Sequence, residues 1–131
     1  KYLSWKFIDG PVSTRQLYVL KKGEETAGFA ALECAGKIGY IVDILSCDSE
    51  TLDHIIVFAI KYFRKQNMDS VVFVALENNM YFEALSKFGF IKRPEEKHLY
   101  FYIDEGITNK QIFMDSKNWF VTIGDCDVER L

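Results

Sequence analysis

Scarcity sets the first limits on this chain. Its three cysteines, Cys34, Cys47 and Cys126, are odd in number, and none stands in a C-x-x-C pair. A disulfide framework is excluded as the organising feature, and reduced thiols in a cytoplasmic setting are expected. The two histidines, His54 and His98, lie at metal-ligand spacing neither from each other nor from a cysteine, so no metal is expected. Cationic excess is missing as well: 16 Lys and Arg against 19 Asp and Glu leave a net charge of −3. Without a basic footprint, nucleic acid is not an expected partner. No unbroken apolar run approaches the ~20 residues that a membrane span requires, and no membrane partner is expected. The chain carries no internal repeat and no low-complexity tract.

What is present is core-forming material. Hydrophobic residues make up 49% of the 131, and aromatics 15%. A chain of this length buries roughly two thirds of its unfolded surface, enough for one domain over residues 1–131 without disulfide or metal support. The first residue is Lys rather than Met, and the domain is expected to be a piece of a longer protein.

The organising stretch is 38–90. Two near-continuous apolar runs of strand length, IGYIVDILS at 38–46 and SVVFVAL at 70–76, flank a helical segment at 51–66. Such runs joined through a helix mark a βαβ crossover with parallel strands buried on both faces. Asp48 and Ser49 suit the helix start, and Lys61, Arg64 and Lys65 suit its end. Upstream, 15–22 and 27–34 read as a hairpin around the polar turn 23–26, and 35–37 turns into the strand at 38. Residues 1–8 are an aromatic-rich run closed by the turn Asp9-Gly10-Pro11. Downstream, a helix over 79–88 stops at Gly89, which can adopt the left-handed conformation of a C-terminal cap. Further strands are read at 98–103 and 119–123, and the polar segment 104–118 has room for one helical turn. The fold class is therefore α/β (α+β): a mixed, mostly antiparallel sheet with a central parallel βαβ crossover and helices on its faces.

At 78–90 the chain resembles the GNAT acyltransferase superfamily, whose second helix commonly begins with Asn and closes on Y-x-K-x-G-F. Asn78, Lys87, Gly89 and Phe90 match that pattern. The tail, Trp119 through Asp127, is similar to the W-x-x-T-x-G-D-x-D ending of a bacterial group of GNAT-like proteins. There such a domain is often the C-terminal half of the chain, so an N-terminal domain of the same chain is an implied partner. The resemblance implies acetyl transfer from acetyl-CoA to an amine of a sugar, amino acid or protein. It places the pantetheine in a cleft where strands 38–46 and 70–76 splay apart, against Ile44, Leu45 and Ser46, with Asn78 beside it, and the pyrophosphate at the start of the following helix.

Two positions depart from the family pattern. Where the family has an R-x-x-G-x-G/A loop, this chain has Glu50, Asp53 and Ile55, and no glycine occurs between Gly39 and Gly89. Asp48, Glu50 and Asp53 set carboxylates beside the place of a polyanion, although carboxylates in a first turn also stabilise a helix by themselves. Four residues before Gly89, where many members carry the Tyr that protonates the leaving thiolate, stands Leu85. Tyr81 lies one turn earlier and substitutes only if the helix is rotated or the substrate repositioned; packing on the sheet or on the surface is its simpler role.

For the base that takes a proton from the attacking amine, Asp43 is the first candidate because it interrupts the apolar run 41–45. A charge within a sheet must be paired or carry a shifted pKa. An ion pair, for instance with Arg15, or a hydrogen bond to a backbone turn are the structural alternatives. Glu77 is a weaker candidate, as is Glu33, and either could face solvent. Cys47, flanked by acids that disfavour its thiolate, reads as a packing residue and Trp119 as core. Asp125 reads as a turn stabiliser. Two readings stay open: a GNAT-like N-acetyltransferase domain, and a non-catalytic GNAT-like module forming a structural, interface or substrate-binding half of a two-domain acyltransferase.

Overall fold

The computed structural model describes residues 2–9, 14–76, 79–93 and 109–125. Its spine is a four-stranded sheet in the order β1-β2-β3-β4, made of Arg15–Lys22, Glu25–Ala35, Ile38–Ser46 and Ser70–Phe73. The first three strands pair antiparallel, and β4 joins β3 parallel from Ile38↔Ser70 to Ile41↔Phe73. The expected fold class is the observed one.

Helix α1 (Tyr2–Phe7) occupies the segment read from sequence only as an aromatic run. Helix α2 (Ser49–Lys65) makes the crossover, with Asp48 as N-cap. Helix α3 (Phe82–Lys87) is shorter than the 79–88 expected. Its end is closed as predicted: Gly89 has φ +86, Gly89 N–H donates to Ser86 O, and Phe90 N–H reaches back to Leu85 O at 3.2 Å. That paired pattern satisfies orphan carbonyls and requires a positive φ that glycine adopts without strain. Helix α4 (Lys110–Met114) supplies the helical turn foreseen within 104–118. The strand read at 98–103 lies outside the described residues.

Two cores form on opposite sheet faces. Ala30, Leu32, Ile41 and Ile44 meet Leu52, Ile55, Ile56, Ala59 and Phe63 of α2, with Ala84 and Leu85 of α3. Phe29, Ala31 and Val42 meet Phe7 of α1 on the other face.

The alternation of β3 between these cores is broken once. Ala31 pairs with Asp43 while Leu32 pairs with Ile41, so Val42 is an extra residue, a β-bulge. Strict alternation would send Ile41 and Asp43 to the same face. The bulge shifts the phase by one residue: Ile41 and Ile44 both enter the α2 core, and Asp43 reaches Lys6 of α1 instead. An aspartate inside an apolar strand is thus accommodated by backbone register.

Candidate functional site

Beyond Ile41 and Phe73 the parallel pairing stops, while β3 continues to Ser46. Cys47 N–H donates to Ala27 O of β2 at 2.8 Å. By strand alternation the amides of Ser46 and Ile44 therefore face the opposite, unzipped edge. Among the described residues strand pairing satisfies neither amide, and side chains do. Ile44 N–H donates to Oδ1 of Asp43 at 2.9 Å, and Ser46 N–H donates to the phenol oxygen of Tyr81 at 3.3 Å. Tyr81 is only 6% exposed, sits just before α3, and stacks edge-on against Phe120 at 5.5 Å between ring centroids. Its own N–H is held by Oδ1 of buried Asn79 at 2.9 Å, an Asx turn that fixes how the ring enters the gap.

The base of the gap is filled by the tail. Thr122 makes an antiparallel bridge to Ala75, and Ile123 N–H donates to Val74 O at 3.2 Å. The strand expected at 119–123 reduces to that contact, followed by a 3-10 turn at Ile123–Asp125. The turn forms because Oδ2 of Asp125 accepts from Thr122 N–H at 3.0 Å and from its hydroxyl at 3.3 Å, as the sequence suggested for Asp125. It also brings Gly124 against β3, where a Cβ would come within 3.2 Å of Val42 O and 3.3 Å of Asp43 Cβ. The T-x-G-D run thus has a physical basis: a clasped turn whose glycine permits close approach to the bulge.

A charge cluster ties these pieces together. Nζ of Lys6 lies 3.3 Å from Oδ2 of Asp43 and 2.6 Å from Oδ1 of Asp125, linking α1, β3 and the tail. Asp43 is 6% exposed. Burial pushes its carboxyl above the ordinary range, and the Lys6 ammonium only partly opposes this. Burial alone would lower Lys6, but its bond to Asp125 and the charge of Asp43 outweigh that and hold it above its usual value. Asp125 is also disfavoured as an anion by burial, yet Lys6 and the Thr122 N–H hold it below the usual carboxylate range.

The cation partner of Asp43 is therefore Lys6, not Arg15. Arg15 instead pairs with Glu33 at 3.3 Å. Glu33 is buried rather than solvent-facing, and it also accepts from the Thr14 hydroxyl at 3.0 Å. Of the residues predicted to line a pantetheine track, Ile44 is core, Leu45 is 50% exposed and Ser46 is half-buried. Glu77 and Asn78 lie outside the described residues. Trp119 is not in either core: its indole N–H donates to Phe113 O at 3.0 Å beside the Phe113 ring. Cys47 is exposed, with Sγ 3.3 Å from Asp48, so it is not the packing residue expected. Sequence reasoning missed Lys6 and Asn79. The signal for Lys6 was its amphipathic setting between Trp5 and Phe7, once that run is recognised as helical.

At the start of α2, Oδ1 of Asp48 accepts from Thr51 N–H at 2.7 Å, and Oδ2 accepts from Lys22 at 2.9 Å. Glu50 lies 3.7 Å from the same lysine. Two carboxylates share one ammonium there, so an added phosphate meets a negative rim and finds the Thr51 amide taken. Ile55, which stands where the family loop has its second glycine, is buried in the α2 core. Among the described residues no helix is long and apolar enough to cross a membrane, and no group of three or more His, Cys, Asp or Glu is placed to hold a metal ion. No family model and no curated protein matches this chain.

Proposed function

We propose that this chain is a GNAT-like N-acetyltransferase domain that accepts an acyl thioester along the unzipped edge of β3 and transfers the acetyl group to an amine. One observation carries this reading. β3 and β4 part beyond Ile41 and Phe73, and toward the carboxyl ends of the strands the Ile44 and Ser46 amides on the parted edge are held by side chains rather than by a neighbouring strand. Open α/β sheets place ligands at the carboxyl ends of their strands, and an extended amide-bearing chain pairs with a strand edge through main-chain hydrogen bonds. The assignment to this superfamily is by analogy of fold and motif.

In the transfer, the amine nitrogen attacks the thioester carbonyl. The C–N bond forms, the C–S bond breaks, the amine proton passes to a base and the thiolate gains a proton. Asp43 is the base in this reading, and burial makes its carboxyl a better proton acceptor than a surface aspartate. Asp43→Asn then abolishes acetyl transfer with thioester binding retained; unchanged turnover removes Asp43 from the role.

The nucleotide end of acetyl-CoA fits less well, because Asp48 already caps α2 and Glu50 stands beside it. That observation favours a second reading, a non-catalytic GNAT-like half paired with an N-terminal domain of the same chain. A thermal-shift titration with acetyl-CoA separates the two. A ligand at a hundred times its Kd stabilises the folded state by about 2.7 kcal/mol, which moves the melting temperature by several degrees in a domain of this size. No shift at millimolar acetyl-CoA leaves the non-catalytic module as the function.

A further inference from the structure

The Tyr81 phenol is bonded to the very amide that the proposed thioester track requires. From this we infer that Tyr81 is an autoinhibitory stand-in: its oxygen occupies the acceptor position on Ser46 N–H that a donor chain would take, and the phenol must give way for the donor to bind. The inference rests on the reading of β3 as the donor edge. Three features of the geometry support it.

The Ser46 to Tyr81 contact is a single neutral hydrogen bond of 3.3 Å, at the long end for N–H···O. A carbonyl presented by an extended ligand could better it. The Tyr81 ring packs with the α2 core, and its backbone is held just outside the regular helix. It occupies the N-cap position of α3 with no capping bond from its side chain, and its N–H is fixed by Asn79. Finally, the wall behind the ring is Phe120, itself 39% exposed and part of the tail segment that fills the gap. The Ile44 amide beside it is satisfied in the same manner by Asp43. Residues 44–46 of β3 thus have their outward amides closed by the protein's own side chains.

Tyr81→Phe tests this because it removes the competing oxygen and keeps the ring. In the variant, Ser46 N–H is left unsatisfied in the ligand-free protein and regains a partner on binding. A net hydrogen bond of about 1 kcal/mol corresponds to roughly fivefold in affinity. The expected result is acetyl-CoA binding about fivefold tighter than wild type by calorimetry, with faster amide exchange at Ser46 in the ligand-free variant. Equal or weaker binding by the variant overturns the stand-in while leaving the donor edge in place. Unchanged affinity with reduced turnover assigns Tyr81 to proton donation and likewise overturns it. Acetyl-CoA bound by neither protein overturns the functional reading and the stand-in together. Unchanged Ser46 exchange in the variant also overturns the stand-in, because the phenol contact would then not exist in solution.

Discussion

Replacing Lys6 by methionine is expected to lower folding stability by about 3 kcal/mol, because removing one partner of a buried ion pair strands the other charge. The Lys6 and Asp43 side chains are 12% and 9% exposed, so little water is at hand to re-solvate Asp43. The loss extends to the tail, since the same ammonium holds Asp125. Adding Asp43→Asn to Lys6→Met removes the stranded charge and retains an acceptor for Ile44 N–H, so the double variant regains much of the loss. Denaturant unfolding at neutral pH measures all three proteins.

The pH dependence of this effect has a defined sign. Asp125 is depressed in the folded state, so its contribution is present above the ordinary carboxylate pKa and is lost as pH falls through the folded value. Asp43 is raised, so its ionisation costs stability as pH rises from near 3.8 through the folded value. Lys6 is raised, so its contribution is complete below 10.5 and is lost only as pH climbs through the folded value. The gap between wild type and Lys6→Met is therefore widest near neutrality and narrows in acid as both carboxylates protonate. A gap under 1 kcal/mol at neutral pH would show that the cluster is too well hydrated to matter, and a gap that does not narrow as pH falls below 3.8 would show that the two carboxylates do not carry it.

Truncating Phe63 to alanine has the largest effect expected in the core, about 3–5 kcal/mol from lost burial and the cavity left behind. Phe63 is fully buried on α2 and lies directly over Gly39 of β3, where a Cβ would overlap its ring. The helix sits this close to the sheet only because β3 is bare at that point. Gly39→Ala alone therefore overpacks the contact and costs about 1–3 kcal/mol. The two changes share one space, so in combination they cost less than their sum, by about 0.5–3 kcal/mol. Strict additivity in thermal unfolding would mean that the ring and the glycine are not in contact.

Most of the architecture was legible because its signals are local. The apolar runs at 38–46 and 70–76, of which the second pairs as a strand only over Ser70–Phe73, the helix with its Asp48 cap, and the Gly89 terminus each depend on a few consecutive residues. Residues 2–7 failed that test: six residues are too few to display a helical period, and α1 owes its existence to Phe7 packing on the far sheet face. The strand read at 119–123 was overcalled for the converse reason. Its apolar composition suits a strand, but Asp125 folds the segment into a turn as soon as one bridge to Ala75 has formed.

The site divides along the same line. From the chain alone it followed that this is a mixed α/β sheet built on one crossover, that Asp43 is an anomaly demanding a partner, and that acids surround the start of α2. Periodicity, capping and charge are properties of neighbours in sequence. Only the tertiary structure decided that Lys6 answers Asp43, that a bulge at Val42 turns the carboxylate toward it, and that Tyr81 closes the Ser46 amide. Those outcomes join residues 37 and 35 positions apart. They turn on a one-residue slip of register, for which a run of apolar letters carries no mark.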